Sequence, residues 1–163
     1  MFALALALAA SWCVAAARGL AVAPASAVFS CGCYWNAQHF FEQRRGVVGA
    51  ECGLLVGDGD DVLEAVKLEL GADPSSFEDA LDGYFEYLGK KKGKLTSPRY
   101  RYVIHAAPQQ RAAAEAAFVR HGAPEAVTVG ALGDAGVYRR AADRHQGAAS
   151  RLLAALAKKN DGR

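Results

Sequence analysis

The spacing of apolar residues changes several times between residues 27 and 105, and the order of these changes limits the fold more than any other feature of the sequence. Runs that alternate or contain β-branched residues predict strands, and runs with apolar residues three and four apart predict helices. The predicted strands cover residues 27–31, 47–56, 64–70 and 99–105. The predicted helices cover residues 35–45 and 77–88, the second preceded by the capping-box pattern Ser75-Ser76-Phe77-Glu78.

The first six predicted elements follow the order strand, helix, strand, strand, helix, strand. This βαββαβ order is that of the ferredoxin-like fold. We therefore predict a mixed α/β protein of the α+β type, built as a ferredoxin-like two-layer sandwich with extra helices and one extra strand. The additional elements are a helix at 108–120, a strand at 126–129 and a last helix at 141–158. The sequence shows no internal repeat, so we predict one domain, covering residues 28–163.

The first 27 residues differ in composition from the rest of the chain. Residues 1–17 carry no charged side chain and are mostly Ala and Leu, and small residues follow at 15–17 and 25–27. An apolar run with small-residue cleavage sites is typical of a secretory signal peptide. We predict a signal or targeting segment at residues 1–27 that directs a soluble mature protein to the secretory pathway or an organelle. An uncleaved membrane anchor and a second transit signal between the two sites are the alternatives.

Charge and cysteine content argue against several kinds of function. The 163-residue chain has 19 Lys and Arg against 17 Asp and Glu, so its balance gives no reason to expect a nucleic-acid partner. After the predicted leader the cysteines are Cys31, Cys33 and Cys52, an odd number that argues against a fully disulfide-bonded scaffold. They have neither the second cysteine pair nor the clustered histidines of a structural zinc site, so we expect no bound metal. The role that remains for these cysteines is one reactive thiol, assisted in redox chemistry by one or both of the others.

The stretch Ser30-Cys31-Gly32-Cys33-Tyr34-Trp35-Asn36 joins the first predicted strand to the first predicted helix. It places Cys33 at the amino end of the helix, where free N–H groups and the helix dipole favour a thiolate. Tyr34 and Trp35 follow at once and would border an apolar pocket beside the sulfur. On spacing alone, the two aromatic residues fit the core face of the helix equally well.

Gly32-Cys33-Tyr34-Trp35 resembles the GCFW motif of the peptide methionine sulfoxide reductase A family, with Tyr34 in place of Phe. Three further segments resemble this family in the same order along the chain. They are Glu64-Ala65-Val66, like its segment with an acidic catalytic residue, Arg99-Tyr100-Arg101, like its QYRS segment, and Ala141-Ala142-Asp143-Arg144-His145-Gln146, like its AEDYHQ segment. The resemblance covers most of the chain after the predicted leader.

The resemblance implies an enzyme that reduces methionine S-sulfoxide, free or in peptides, to methionine. The implied catalytic residues are Cys33, Glu64 and Tyr100, and the implied substrate-binding residues are Tyr34, Trp35, Asp143 and His145. Cys33 would be the nucleophile, Glu64 the proton donor and Tyr100 a hydrogen-bond donor to the sulfoxide oxygen. Tyr34 and Trp35 would hold the substrate methyl group. The resemblance implies no bound cofactor.

The implied reaction leaves Cys33 as a sulfenic acid, which a second thiol must reduce. Cys52 and Cys31 are the internal candidates for a resolving cysteine. Cys52 is the better of the two, because a Cys-x-Cys disulfide such as Cys31–Cys33 is strained. The alternative interpretation, which the sequence favours equally, is that Cys52 or Cys31 is a buried structural cysteine without a redox role. Without internal resolution, thioredoxin, glutaredoxin or glutathione would attack the sulfenic acid directly. We expect a monomer.

Several positions depart from the family pattern. Leu54 stands where the family has a second oxygen-binding tyrosine, and Leu95 stands where it has an aspartate. Losing one hydrogen-bond donor to a developing oxyanion slows a reaction by roughly tens to hundreds of times, so we expect a weak enzyme. The alternative is a non-catalytic protein of the same fold that senses oxidants through Cys33 or binds methionine-containing peptides. A third hypothesis is an unrelated ferredoxin-like binding module with a chance motif.

Overall fold

The computed structural model describes residues 26–58, 61–90, 97–132, 134 and 136–161, with side chains up to residue 158. The strands are β1 (Ser26–Cys31), β2 (Val47–Val56), β3 (Val62–Leu70), β4 (Tyr102–Ala106), β5 (Val127–Ala131) and β6 (Val137–Arg140). The helices are α1 (Tyr34–Phe41), α2 (Ser76–Gly89), α3 (Arg111–Arg120) and α4 (Ala148–Asp161), and a 3-10 turn (Pro108–Gln110) precedes α3. Most of the predicted leader and Leu95 lie outside the described residues.

The strands form one sheet in the order β5-β4-β1-β3-β2-β6. Within its four central strands, β4-β1-β3-β2, each adjacent pair is antiparallel, which is the arrangement of a ferredoxin-like βαββαβ unit. β5 extends the sheet in parallel with β4, and β6 extends it antiparallel to β2. The predicted ferredoxin-like α+β fold is therefore confirmed.

The main core lies between the sheet and helices α1, α2 and α3. Phe29 of β1 packs against Phe41 of α1 and Tyr84 of α2, with ring centroids 5.6 and 5.0 Å apart. Burying an aromatic side chain of this size stabilises a fold by about 1.5–3 kcal/mol. Gly32 has a φ of +78°, a left-handed conformation that favours glycine and lets β1 turn sharply into α1. Cys33 follows directly after this turn.

The structure corrects the predicted carboxyl-terminal elements. The last helix begins at Ala148 instead of residue 141, and β6 is a strand that the residue pattern does not predict. The segment between them is held by β2, because the Ala141 N–H donates to the Cys52 carbonyl at 2.9 Å. Hydrogen bonds to a neighbouring strand thus replace the expected helical turns.

The structure also corrects the predicted capping box of α2. Ser75 takes the N-cap position, but its side chain makes no capping hydrogen bond. The Ser75 hydroxyl instead donates to the Asp73 carboxylate at 2.9 Å. An Asp-Ser turn before the helix therefore takes the place of the expected reciprocal cap.

β1 begins inside the predicted leader. Its first residue is Ser26, and Ala27 is buried in the main core. Cleavage after Ala17 would leave this strand whole, whereas cleavage after Ala27 would remove its first two residues. Across the described residues, no helix combines the length and the apolar character that crossing a membrane requires.

Candidate functional site

Cys33 lies between β1 and α1. It is the N-cap residue of α1 and half-buried, and its side chain makes no capping hydrogen bond to the helix. The first-turn N–H groups and the positive end of the α1 dipole therefore lie next to the sulfur. No disulfide joins Cys33 to another of the described cysteines. This is the position that the sequence predicts for a nucleophilic thiol.

Glu64 of β3 lies against the start of α1. Its carboxylate accepts a hydrogen bond at 3.2 Å from the N–H of Tyr34, the residue that follows Cys33. Burial raises the pKa of Glu64, and the Tyr34 N–H and the charges of Arg99 and His145 oppose that rise without cancelling it. The carboxyl therefore keeps its proton to a higher pH than an exposed glutamate does, beside the Cys33 peptide bond.

Tyr100 reaches the site from the loop that precedes β4. The Glu64 N–H donates to the Arg99 carbonyl at 3.0 Å, and this bond holds the loop against β3. Burial raises the pKa of Tyr100, as do the negative charges of Glu64 and Cys33 and a hydrogen bond to the Cys33 side chain. The Tyr100 hydroxyl therefore remains a proton donor at neutral pH and lies beside the Cys33 sulfur.

Three rings form a wall next to Cys33. The Trp35 ring stacks on His145 with centroids 5.7 Å apart, and the Tyr34 ring lies 6.2 Å from His145. Tyr34 is buried, whereas Trp35 is 41% exposed, so only Tyr34 belongs to the core. His145 Nδ1 is buried without a hydrogen-bond partner among the described residues. This wall offers apolar contact area with one polar atom in it.

Cys52 of β2 lies beneath α1. Its side chain is fully buried, and its thiol donates to Gln38 Oε1 at 3.0 Å and to the Tyr34 carbonyl at 3.5 Å. Burial, to which the negative charge of Cys33 adds, raises the pKa of Cys52 to about 12. Cys52 is therefore a protonated thiol at neutral pH, close enough to Cys33 for their charges to interact.

Two glutamine side chains hold this region together by hydrogen bonds, and the sequence predicts a role for neither. Gln146 Oε1 accepts from the Cys52 N–H at 2.8 Å, and its Nε2 donates to the Cys52 carbonyl at 2.9 Å. Gln38 Oε1, which accepts from the Cys52 thiol, also accepts from the Gly147 N–H at 2.8 Å. An amide on the buried face of a predicted helix was the only sequence signal for Gln38.

Two of the predicted site residues lie away from this cluster. The Asp143 side chain is 90% exposed and forms an ion pair with Arg140. Cys31 faces the main core, where it pairs in register with Tyr102 of β4. The structure therefore brings together Cys33, Glu64, Tyr100, Tyr34, Trp35, His145 and Cys52, but neither Asp143 nor Cys31. Leu54, the position that departs from the family pattern, lies directly opposite Glu64 in the sheet.

Two cavities lie near the cluster. One of about 360 Å³ runs between α1 and α4, with Trp35 and Leu152 in its lining. The other, about 550 Å³, is lined mainly by polar and charged residues, including Glu51 of β2 and Lys67 of β3, and does not include Cys33. Within the described part of the chain, no group of three or more His, Cys, Asp or Glu side chains is arranged to hold a metal ion.

Comparison with known proteins identifies the fold. No protein-family model matches the chain, and no curated protein matches it in sequence. Methionine sulfoxide reductase A of Corynebacterium diphtheriae superposes with a TM-score of 0.60, over 79% of this chain and 75% of that chain, at 22% identity. Mxr1 from Saccharomyces cerevisiae, in an unusual oxidised form, superposes with a TM-score of 0.51, over 71% of this chain and 73% of that chain, at 16% identity. The chain therefore has the fold of methionine sulfoxide reductase A, as its motifs predict.

Proposed function

We propose that this protein reduces methionine S-sulfoxide to methionine through a sulfenic acid on Cys33. One observation carries the proposal. The Cys33 thiol, the Glu64 carboxyl and the Tyr100 hydroxyl come from three separate elements and meet at the first turn of α1. A nucleophile, a proton donor and a hydrogen-bond donor are the groups that this reduction needs. The shared fold makes this reaction the first to test.

The proposed first step is a balanced oxygen transfer. The Cys33 thiolate attacks the sulfoxide sulfur, and protonated Glu64 gives its proton to the sulfoxide oxygen. The attack forms a transient bond between the two sulfurs. This bond and the bond between the oxygen and the methionine sulfur then break, and a bond between the oxygen and the Cys33 sulfur forms. The methionine sulfur gains two electrons and the Cys33 sulfur loses two, so one thiol and one sulfoxide give one sulfenic acid and one methionine.

The environment of each group supports this assignment. Burial raises the pKa of Glu64, which keeps the acid protonated nearer to neutral pH. Tyr100 remains protonated and can donate a hydrogen bond to the oxygen. Leu54, opposite Glu64, offers no second donor. We therefore propose a slow enzyme, in which Tyr34, Trp35 and His145 hold the substrate side chain.

We propose Cys52 as the resolving cysteine. Its thiolate would attack the Cys33 sulfur, forming a disulfide, and the sulfenic hydroxyl would take up a proton and leave as water. Burial is the main cause of the high pKa of Cys52, but the negative charge of Cys33 adds to it. A sulfenic acid is neutral, so oxidation of Cys33 removes that charge and lowers the pKa of Cys52 in the state that needs its thiolate. An external thiol, such as thioredoxin, glutaredoxin or glutathione, would then reduce the disulfide at Cys33, the more exposed sulfur.

A single-turnover experiment without reductant tests these proposals. The full chain, with Cys13→Ser to simplify thiol counting, is mixed with a peptide that carries one methionine S-sulfoxide. We expect one methionine per protein and the loss of two thiols, and no methionine from the matched R epimer. Loss of one thiol would exclude Cys52 as the resolving cysteine while leaving the reduction itself intact.

The second candidate function is non-catalytic sensing or binding of methionine peptides, which the Leu54 substitution favours. It predicts that no methionine forms although Cys33 is reduced at the start. The same experiment therefore separates the two functions, and that outcome would overturn the reductase proposal. Thiol loss on treatment with hydrogen peroxide would then measure the sensing function directly.

A further inference from the structure

The described arginines divide into two sets. Most of them have partners, as Arg44 has Glu86, Arg101 has Asp61 and Arg120 has Asp82. Within the described residues, the guanidinium groups with no hydrogen bond or ion pair to another described residue belong to Arg45, Arg99, Arg139 and Arg144. Arg45 lies after α1, whereas the other three lie on the segments that build the candidate site. We call these three residues, Arg99, Arg139 and Arg144, the arginine frame.

The sheet register places Arg139 on the same face as Glu64. Arg139 of β6 pairs with Leu54 of β2, which in turn pairs with Glu64 of β3. Residues directly opposite each other in neighbouring strands point to the same face. Neighbouring strands are about 4.8 Å apart, so the Arg139 and Glu64 backbones are about 10 Å apart. The exposed Arg139 therefore lies on one flank of the site.

Arg99 and Arg144 are attached to the site by their neighbours. The Arg99 carbonyl accepts the Glu64 N–H, and Tyr100 follows directly in the chain. Arg144 precedes His145, the residue whose ring stacks on Trp35. Both arginines are exposed. Three cations on three different segments therefore lie next to residues of the proposed reaction centre. Of the acidic side chains near them, Asp143 already pairs with Arg140, and Glu64 is proposed to be protonated during catalysis.

Like charges placed together without counter-charges repel one another, and a negatively charged ligand relieves that repulsion. We propose that the arginine frame binds acidic side chains on both sides of the oxidised methionine, so that the substrates are acidic segments of polypeptides. The inference rests on the proposed function. An extended chain advances about 3.4 Å per residue, so the 10 Å between Glu64 and Arg139 corresponds to about three residues. The single carboxylate of free methionine sulfoxide does not contact all three arginines.

Three matched peptides test the inference. Each carries one methionine S-sulfoxide, flanked at positions −3, −2, +2 and +3 by Glu, by Gln or by Lys. At low salt we expect kcat/KM for the Glu peptide to exceed that for the Gln peptide about tenfold, from exposed contacts worth two- to threefold each. We expect the Lys peptide to be the poorest substrate. The preference should shrink at high salt, because exposed charges are screened.

Variants that replace one arginine by an uncharged residue show which residues cause the preference for the Glu peptide. Arg99→Gln, Arg139→Gln and Arg144→Gln should each lower the ratio of Glu to Gln peptide two- to threefold, and the triple variant should bring it close to one. Arg45→Gln is the matched control. Arg45 also has no hydrogen bond or ion pair to another described residue, but it lies outside the arginine frame, so the variant removes the same charge at a different place. A preference that survives the triple variant, or disappears equally in Arg45→Gln, would overturn the inference.

A binding measurement separates this inference from the proposed function. Fluorescence anisotropy with the Cys33→Ser variant reports affinity for the labelled peptides without turnover. If no peptide is reduced but the Glu peptide binds tighter than the Gln peptide, the proposed function fails and the arginine frame stands. If the Glu and Gln peptides are reduced equally at low salt, or free methionine sulfoxide is reduced faster than both, the arginine frame fails and the proposed function stands.

Discussion

Cys33 and Cys52 belong to the same site but have opposite environments. Cys33 ends a tight turn at the start of α1, is half-buried and lies beside a carboxyl and a phenol. Cys52 lies in the middle of β2, fully buried, with its thiol donating to Gln38. Burial raises the pKa of Cys52 to about 12. The Cys33 thiol is therefore placed to react with a molecule from solution, whereas the Cys52 thiol is inaccessible to such a molecule.

The backbone elements, more than the adjacent residues, produce this difference. Both cysteines are next to a glycine, Gly32 before Cys33 and Gly53 after Cys52. A helix start leaves N–H groups free to stabilise an anion, whereas a central strand covered by a helix removes its side chain from water. The fold can therefore separate attack on substrate from later resolution, although the two sulfurs lie close enough for their charges to interact.

Exchanging each sulfur for oxygen has the largest expected effect. Cys33→Ser should reduce methionine formation by roughly 10⁴-fold or more, because a serine hydroxyl is a far weaker nucleophile. Cys52→Ser should still form one methionine per protein but lose one thiol in place of two. Methionine and free thiols, counted after a single turnover, check both results. Equal loss of the first turnover in the two variants would contradict the division of roles.

Removing the acid next to Cys33 should have the second largest effect. Glu64→Gln cannot supply a proton, so kcat/KM should fall about 10²–10⁴-fold. In the wild type, kcat/KM should decline as the pH rises through the elevated pKa of Glu64, since only the protonated form is a donor. The variant should lose this part of the pH profile. A profile with the same decline in both proteins would assign it to another group.

Stability should respond to Glu64 in the opposite direction. A carboxyl whose folded pKa is raised binds its proton more tightly in the folded state, so it stabilises the fold as the pH falls through that pKa and loses this contribution above it. Glu64→Gln should therefore melt higher than the wild type at pH 8 and should lose that advantage near pH 4. A variant that is less active and more stable at pH 8 separates chemistry from unfolding.

The pH dependence of the second thiol tests Cys52 directly. Its pKa is about 12 while Cys33 carries its charge, and because burial is the main cause, the pKa stays well above neutral after Cys33 has been oxidised. Only a small fraction of Cys52 is therefore thiolate near neutral pH. Loss of the second thiol should therefore speed up about tenfold per pH unit between pH 7 and 9, while the first methionine forms without this dependence. Rapid acid quenching at set times, followed by counting of methionine and free thiols, gives the rate of methionine formation and the rate at which the second thiol is lost. A second-thiol rate independent of pH would place the resolving step elsewhere.

The two halves of the fold differ in how far the sequence predicts them. β1 to β4 and the first two helices have clear apolar periodicity, and β2 has the predicted bounds of residues 47 and 56. The segment 137–147 has no such pattern, because its structure depends on hydrogen bonds to β2. The periodicity of apolar residues indicates which residues face a core. It carries no information on which distant segment of the chain forms backbone hydrogen bonds with the edge strand of a sheet.

The candidate site also has one part that the sequence predicts and one part that it does not. The Cys33 turn is readable from a strand, a glycine and a helix start that are contiguous in the chain, and motif resemblance adds Glu64 and Tyr100. The contacts of Cys52 with Gln38 and Gln146 join β2 to α1 and to the segment before α4. Each of these pairs is a tertiary contact that no local pattern encodes. The environment of Cys52 could therefore not be predicted from the sequence.

The smallest expected effect concerns the glutamine that holds Cys52 in place. Gln38→Ala removes the acceptor of the Cys52 thiol and of the Gly147 N–H, and the partner of the Ala50 carbonyl. Leaving buried polar groups unsatisfied costs about 1–3 kcal/mol each, so the melting temperature should drop by several degrees. Thermal unfolding and the rate at which a thiol reagent modifies Cys52 are the measurements, and we expect that rate to rise.

Gln43→Ala is the matched control for this change, because Gln43 lies just after the same helix but is exposed. Among the described residues, its side chain bonds only to His39. Its effect should stay within about 0.5 kcal/mol, as for most surface substitutions. A similar loss of stability in both variants would mean that Gln38 contributes no more than a surface amide. Burial alone would then account for the unreactive thiol, because desolvation is already the largest cause of its raised pKa. Lower stability and faster modification of Cys52 in Gln38→Ala alone would show that the hydrogen bonds of Gln38 help to keep this thiol unreactive.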